Sequence, residues 1–247
     1  MRQIEVKILN PGAIADAEKM MVCAARLTQH GEKIKTMRDF ISLYLKPYKT
    51  GTAEAMAHLP HPTIQKFGVI NAVVVGASRR FLAQITRHQN EVKFMSASLQ
   101  YSNYSGEADF VVPYSVLEKG DESIKCYLNS CSEAMDTYLA LINSGIDNDS
   151  AGYSAPQGLR NVLIISATPF QWKHMINQRT CRRNTDETRY VMLRIWEKLL
   201  GLCPSMFEKA GPFCLNDGCK ESAMTCGNPL SVRYPEQILK NDYPLLY

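Results

Sequence analysis

Long apolar runs are missing from this chain of 247 residues: no stretch of about 18 uninterrupted apolar residues exists, which excludes a membrane-spanning helix. Strong net charge is missing too. The 28 Lys and Arg against 24 Asp and Glu leave +4, too little for a nucleic-acid surface and compatible with a small anionic ligand. No Cys-x-x-Cys pair occurs among the eight cysteines, so a zinc ribbon or finger is not expected and the metal set is read as empty. Cys23, Cys126, Cys131 and Cys181 lie in helical patterns, where a buried free thiol is the ordinary state. Repeats, linkers and low-complexity blocks are absent, and the N-terminal MRQIEVKILNPG alternates like a strand without an apolar signal core. One folded domain in the cytoplasm is expected.

What is present is a hydrophobic content of 45% with 21% charged residues, ordinary for a globular protein with an ample core. Residues 13–29 and 36–46 read as amphipathic helices. His58, Pro60, His61 and Pro62 make a stiff turn before GVINAVVVG (68–76), which has the look of a buried strand. EADFVVPY (107–114) reads as a short strand and residues 121–144 as a long helix with Cys126, Tyr127, Ala134, Tyr138, Leu139 and Leu141 on its apolar side. NVLIISAT (161–168) is a second buried strand, leading into a helix over 169–182. Asn184 with Glu187 has the form of a capping box opening a last helix through Leu200. The fold class is therefore α+β, long helices on a modest mixed or antiparallel sheet. The domain is placed at 1–227, with 228–247 as an extended arm.

The most informative stretch is 78–104, SRRFLAQITRHQNEVKFMSASLQYSNY. Ser78 stands at a helix N-cap position, and Phe81, Leu82 and Ile85 recur at helical spacing. Gln84, Arg87 and His88 then leave the last turn toward a loop rich in Ser and Tyr. Fixed cations and hydroxyls around such a loop suit a phosphate and a planar heterocycle. The same residues also suit a solvated helix end followed by a polar turn.

The resemblance is to the flavin-dependent thymidylate synthases. Arg87-His88-Gln89 followed by Ser98-Leu99-Gln100-Tyr101 is similar to that family's Arg-His-Arg and Ser-x-Arg-Tyr motifs. His61-Pro62-Thr63 fits its His-x-Ser/Thr, and TPFQWKHMINQR places His174 and Arg179 in register with a further motif. AGYSAP (151–156) and the cysteine-containing tail at 207–227 extend the resemblance over about residues 55–227. The chain departs from the pattern at Gln89, Gln100, Gly152, Thr168 and Phe170, where the family has phosphate- and flavin-holding residues. Gln65-Lys66 sits near where it has a Glu-His pair.

The resemblance implies C5 methylation of dUMP to dTMP in a homotetramer, without a nucleic-acid or membrane partner. It implies FAD as cofactor, with methylenetetrahydrofolate and NADPH as co-substrates. Arg179 is implied as the catalytic cation; His61, Thr63, Arg87, His88, Gln89 and His174 as flavin-binding; and Gln84, Arg87, Ser98, Leu99, Gln100 and Arg179 as nucleotide-binding. The lost phosphate arginines leave open UMP methylation, dUMP hydroxymethylation or a non-catalytic nucleotide-binding role. Arg182 and Arg183, beside a helix N-terminus, are candidates to restore the phosphate grip.

Overall fold

The computed structural model describes residues 4–246 except 107. Four strands, β1 (Glu5–Ile8), β2 (Ile70–Ser78), β3 (Val92–Ser96) and β4 (Arg160–Ala167), form one antiparallel sheet in the order β1-β2-β4-β3. The helices are α1 (Gly12–His30), α2 (Met37–Leu45), α3 (Thr50–Ala57), α4 (Arg79–Ile85), α5 (Tyr114–Lys119) and α6 (Asp121–Asn143). They continue with α7 (Asn148–Ala151), α8 (Pro169–Arg179), α9 (Asp186–Leu202), α10 (Pro204–Phe207) and α11 (Pro235–Asp242). The expected α+β class holds, with the sheet purely antiparallel.

Both central strands alternate, because side chains on a strand point to opposite faces. Ile70, Ala72, Val74 and Ala77 of β2, with Leu163, Ile165 and Ala167 of β4, are buried against helices that include α9. Their neighbours Val75, Val162 and Ile164 are exposed on the other face at 41%, 43% and 40%. Neither strand is thus buried on both sides, as the runs of β-branched residues suggest. An apolar outer face is instead left without a covering helix among the described residues.

A bulge interrupts the β2–β4 register between Val75 and Ala77, where Gly76 takes φ +82°. Its carbonyl accepts from the Arg160 guanidinium at 2.5 Å. The extra residue aims Ser78 at α4, whose first turn it caps by accepting from the Phe81 amide at 3.1 Å. The second half of the Asn184–Glu187 expectation is redirected here. α9 opens at Thr185, and Glu187 accepts from the Ser78 amide at 2.6 Å and from the Ser78 hydroxyl, so its carboxylate ties α9 to α4 rather than closing a box.

Other expectations are corrected in detail. Residues 108–114 make an isolated bridge, Phe110 to Leu159, in place of a strand; Glu107 of that segment lies outside the described residues, as do residues 1–3 of the N-terminal one. In α6 the buried face is Cys131, Met135 and Tyr138, which leaves Cys126 exposed. All eight cysteines are free. The terminal segment is no extended arm: Ile238 and Leu239 of α11 and Tyr243 are buried in the main core, because Pro235 starts a helix whose apolar residues fall on one side.

Candidate active site

α8 follows β4 directly and is capped by Thr168, whose hydroxyl accepts from the Gln171 amide. Its last residue, Arg179, reaches the end of α4. The Arg179 Nε donates to His88 Nε2 at 2.8 Å, one Nη to the Gln84 carbonyl at 3.2 Å, and the other to Asn184 Oδ1 at 3.3 Å. Asn184 is itself anchored, its amide donating to the Gln178 and Cys181 carbonyls at 2.7 and 3.1 Å. A guanidinium has five N–H donors. Three are engaged here, so one remains on each Nη, the pair that can grip a carbonyl and an adjacent ring nitrogen side by side.

Accepting at Nε2 puts the proton of His88 on Nδ1. Burial, with Arg179 and then His174 nearby, pushes the His88 pKa down to about 4, so the ring is neutral near pH 7. His174 meets it edge-on at 5.7 Å between ring centroids, and burial and Arg179 lower its pKa as well. Arg87, Gln89, Asn90, Phe170, Gln171 and Gln178 complete a chamber of about 430 Å³ around these groups.

Five of the expected site residues thus converge: Arg87, His88, Gln89, His174 and Arg179. Ser98, Leu99 and Gln100 do not join them. They line a separate chamber of about 530 Å³ with Ser96, Gly152, Tyr153, Gln157 and Arg79, which shares no lining residue with the first. Its loop is shaped by local bonds: Ser98 Oγ accepts from the Gln100 amide at 3.1 Å, and the Tyr104 amide donates to the Tyr138 hydroxyl at 3.1 Å. Gly152 lies so close to Leu99 that a Cβ there would stand 3.1 Å from the Leu99 Cβ.

Gln84 is occupied within the protein, its Oε1 accepting from Thr185 and Thr188 at 2.8 and 2.6 Å, which leaves its amide N–H groups as the side chain's donors. His61, just before the 3-10 turn at 62–65, and Thr63 within it are exposed and line neither chamber. Arg182 cannot restore a phosphate grip, because Asp242 and the Asn228 carbonyl hold it at 3.0 and 2.9 Å. Asp186 and Glu187 also fill the first turn of α9 with negative charge. The cation that does face Ser98 and Gln100 is Arg79, whose buried Nη1 finds no hydrogen-bond partner among the described residues. The signal for it in the sequence is its place one residue after the helix cap at the end of a strand.

The family model for thymidylate synthase complementing protein matches residues 12–205. The chain belongs to this family, that of the flavin-dependent thymidylate synthases. It is 26% identical over 221 residues to the flavin-dependent thymidylate synthase of Geobacter sulfurreducens, covering 88% of this chain and 92% of that one. With the enzyme of the same description from Pyrococcus abyssi it shares 26% over 187 residues, covering 70% and 76%. Among solved structures it resembles the UMP/dUMP methylase PolB from Streptomyces cacaoi, bound with 5-Br dUMP. The TM-score is 0.69 at 18% identity, covering 83% of this chain and 94% of that one, a likeness of fold. In this chain Arg87, His88 and Arg179 share one chamber, and Gln100 and Gly152 line the other.

Proposed function

We propose that this enzyme transfers a one-carbon unit to C5 of dUMP and reduces it to a methyl group, yielding dTMP. Methylenetetrahydrofolate is the carbon source and NADPH the reductant of the flavin. The observation that carries this reading is the Arg179 guanidinium, fixed by three acceptors with a free donor on each Nη, in a chamber walled by Arg87 and two imidazoles.

The donor set fits FAD. Arg87 answers the pyrophosphate charge, the amides of Gln89, Asn90, Gln171 and Gln178 answer a ring edged with carbonyl and N–H groups, and Phe170 offers an aromatic face. A reduced flavin, when bound, supplies the hydride that the transferred carbon requires. The protein's own contribution is electrostatic. As C5 becomes nucleophilic, charge builds on the pyrimidine carbonyl system, and Arg179 places a fixed cation there without having to reorganise. His88, neutral and accepting from Nε, keeps the guanidinium in plane. Arg79, with the hydroxyls of Ser96 and Ser98 and the amide of Gln100, is the group suited to the 5′-phosphate.

In one protomer these two groups of residues line separate chambers, and the outer sheet face carrying Val75, Val162 and Ile164 is bare. Both facts support a homotetramer in which the Arg79 chamber of one subunit completes the Arg179 chamber of another. A second reading, methylation of UMP or hydroxymethylation of dUMP, is favoured by Gln100 and Gly152, where the motifs that the chain resembles have arginine, and by the fold likeness to a UMP/dUMP methylase.

The test is the absorbance spectrum of purified protein with its released cofactor identified, before and after dUMP, followed by tritium release from 5-labelled dUMP and UMP. Bound FAD, a shift with dUMP and tritium released from dUMP support the first reading. Release from UMP alone moves the assignment to the second, and protein that cannot take up FAD overturns both.

A further inference from the structure

Behind the Arg179 chamber lies another cavity, of about 380 Å³, with Gln178 and Arg179 as the wall common to both. Half of the chain's eight cysteines line it: Cys181, Cys214, Cys219 and Cys226. Cys181 stands in the turn between α8 and α9, two residues after Arg179, and the other three belong to the tail. No residue from 216 to 229 is buried, so no apolar core holds this segment over the cavity. Segments that lack a core of their own are where a crosslink has most to add.

One contact brings two of these cysteines together. The Arg182 guanidinium donates to the Asn228 carbonyl at 2.9 Å, and the Cys226 thiol donates to the same oxygen at 3.4 Å. Arg182 follows Cys181 directly, so this carbonyl ties the backbone beside one thiol to the other thiol. Burial pushes the Cys181 pKa up, with the Arg183 amide opposing and Glu221, Cys226 and Cys214 adding to the rise. Cys226 is exposed and open to a reagent, whereas Cys181 is partly buried. Cys214 packs against the main core, and Cys219 donates to Thr225 within the tail at 3.5 Å. Among the described residues no three ligating side chains are placed around one point, so the arrangement suits a pair of thiols rather than a tetrahedral metal set.

We propose that Cys181 and Cys226 form a reversible disulfide when the protein meets a hydroperoxide, and that the bond displaces the Arg179 guanidinium. The Cys226 sulfur takes one oxygen of the peroxide as its O–O bond breaks, giving a sulfenic acid, while the thiol proton leaves with the other oxygen as water. The Cys181 sulfur then attacks that sulfur and expels the hydroxyl as a second water. Two thiols lose two electrons and one peroxide gains them. Closing an S–S bond of about 2 Å draws the free thiols together. Asn184 donates to the Cys181 carbonyl at 3.1 Å and accepts from Arg179 at 3.3 Å, so movement of Cys181 reaches the guanidinium through one side chain.

The experiment treats reduced, FAD-loaded full-length protein with hydrogen peroxide, removes the excess with catalase, alkylates and maps the tryptic peptides. Cleavage after Arg179 and Arg182 isolates Cys181, and cleavage after Lys220 parts Cys226 from Cys214 and Cys219. The expected product joins residues 180–182 to residues 221–233, disappears with dithiothreitol, and fails to form in Cys226→Ser or Cys181→Ser. Tritium release should fall about fivefold on oxidation, the loss expected for one positioning hydrogen bond, and return on reduction. The His88 Nε2 nitrogen signal should shift with it, because that atom accepts from Arg179. Cys226→Ser should show neither response. Another pairing, no pairing, or a crosslink that leaves turnover and the His88 signal unchanged overturns the proposal. So does stoichiometric zinc that thiol alkylation releases, since a metal would then hold these thiols. Absence of tritium release in the reduced wild type would count instead against the reaction, and the peptide map and the His88 signal would still decide the disulfide.

Discussion

Arg179 and His88 meet nitrogen to nitrogen: the guanidinium Nε donates at 2.8 Å to the imidazole Nε2, across 91 residues of sequence. The bond requires a neutral histidine, because a protonated ring has no acceptor to offer. It couples the end of α8 to the loop after α4, and so fixes the Arg179 guanidinium in the same chamber as Arg87. Removing the guanidinium in Arg179→Ala strands three acceptors, the His88 ring, the Gln84 carbonyl and Asn184 Oδ1. The expected cost in stability is about 1–3 kcal/mol, the range for leaving a buried acceptor such as the His88 ring without its donor. Loss of a donor aimed at developing charge should lower kcat about 100- to 1000-fold. Single-turnover tritium release together with a thermal melt separates the two effects, and a folded variant with normal turnover contradicts the assigned role.

The same bond sets a pH expectation. In the folded protein His88 takes up its proton only near pH 4, whereas the unfolded chain does so near the ordinary value of about 6.5. The unfolded state thus binds more protons between those two values. The stability owed to neutral His88 is complete above about pH 6.5, is lost as pH falls toward 4, and changes no further below that. Histidine NMR should show His88 protonated at Nδ1 alone and silent from pH 8 down to 5. A midpoint above 6 contradicts the geometry. Arg179→Met should raise the midpoint only partly, because burial is the larger cause.

Arg79 gives a different kinetic signature. If it meets the nucleotide phosphate, Arg79→Ala removes a charge-assisted bond of about 1.5–3 kcal/mol. That corresponds to a rise in nucleotide KM of roughly 10- to 100-fold with little change in kcat. A fall in kcat at unchanged KM would move Arg79 out of the phosphate site.

Ser78 is expected to act through Arg79. Ser78→Ala deletes the cap of α4 and one of two donors to the half-buried Glu187 carboxylate, whose pKa desolvation already raises. The melting temperature should fall by roughly 5 °C, from a loss of about 2 kcal/mol. Nucleotide KM should rise with it. Ser78→Thr keeps the hydroxyl and should restore both, an outcome that a purely steric account does not give.

Much of this was legible in the sequence for a plain reason: local rules settle local structure. Ser78 caps, and the apolar spacing marks α1 and α6. The family register brought Arg87, His88, His174 and Arg179 together without any knowledge of the fold. What escaped was decided by long-range partners. Glu187 obeyed no capping box because Ser78, 109 residues away, offered two better donors. Gln84 carries the spacing of a ligand contact, yet its carbonyl is held by Thr185 and Thr188 from α9. The terminal helix was hidden by its Pro and Asn content, and its value lies in tertiary burial of Ile238 and Leu239.

The outer sheet face carries the last prediction. Val75, Val162 and Ile164, each exposed at 40–43%, stand on adjacent strands, with Met95 of β3 at 72%. Runs of β-branched residues on both faces of a strand cost solubility unless something covers the second face. Nothing among the described residues of one protomer covers it, and a neighbouring subunit would. Ile164→Glu places a carboxylate in the middle of that face, on a residue that makes no contact with either chamber. If the face packs against a second copy, sedimentation should show a smaller species with the circular dichroism of the native fold. Activity should fall with the assembly, because the Arg79 chamber no longer reaches an Arg179 chamber. Mixing Ile164→Glu protein with a slight excess of wild type should not restore its share of turnover, since the charge remains at every contact the variant enters. An Ile164→Glu protein of unchanged size and full activity would show that each protomer completes its own site.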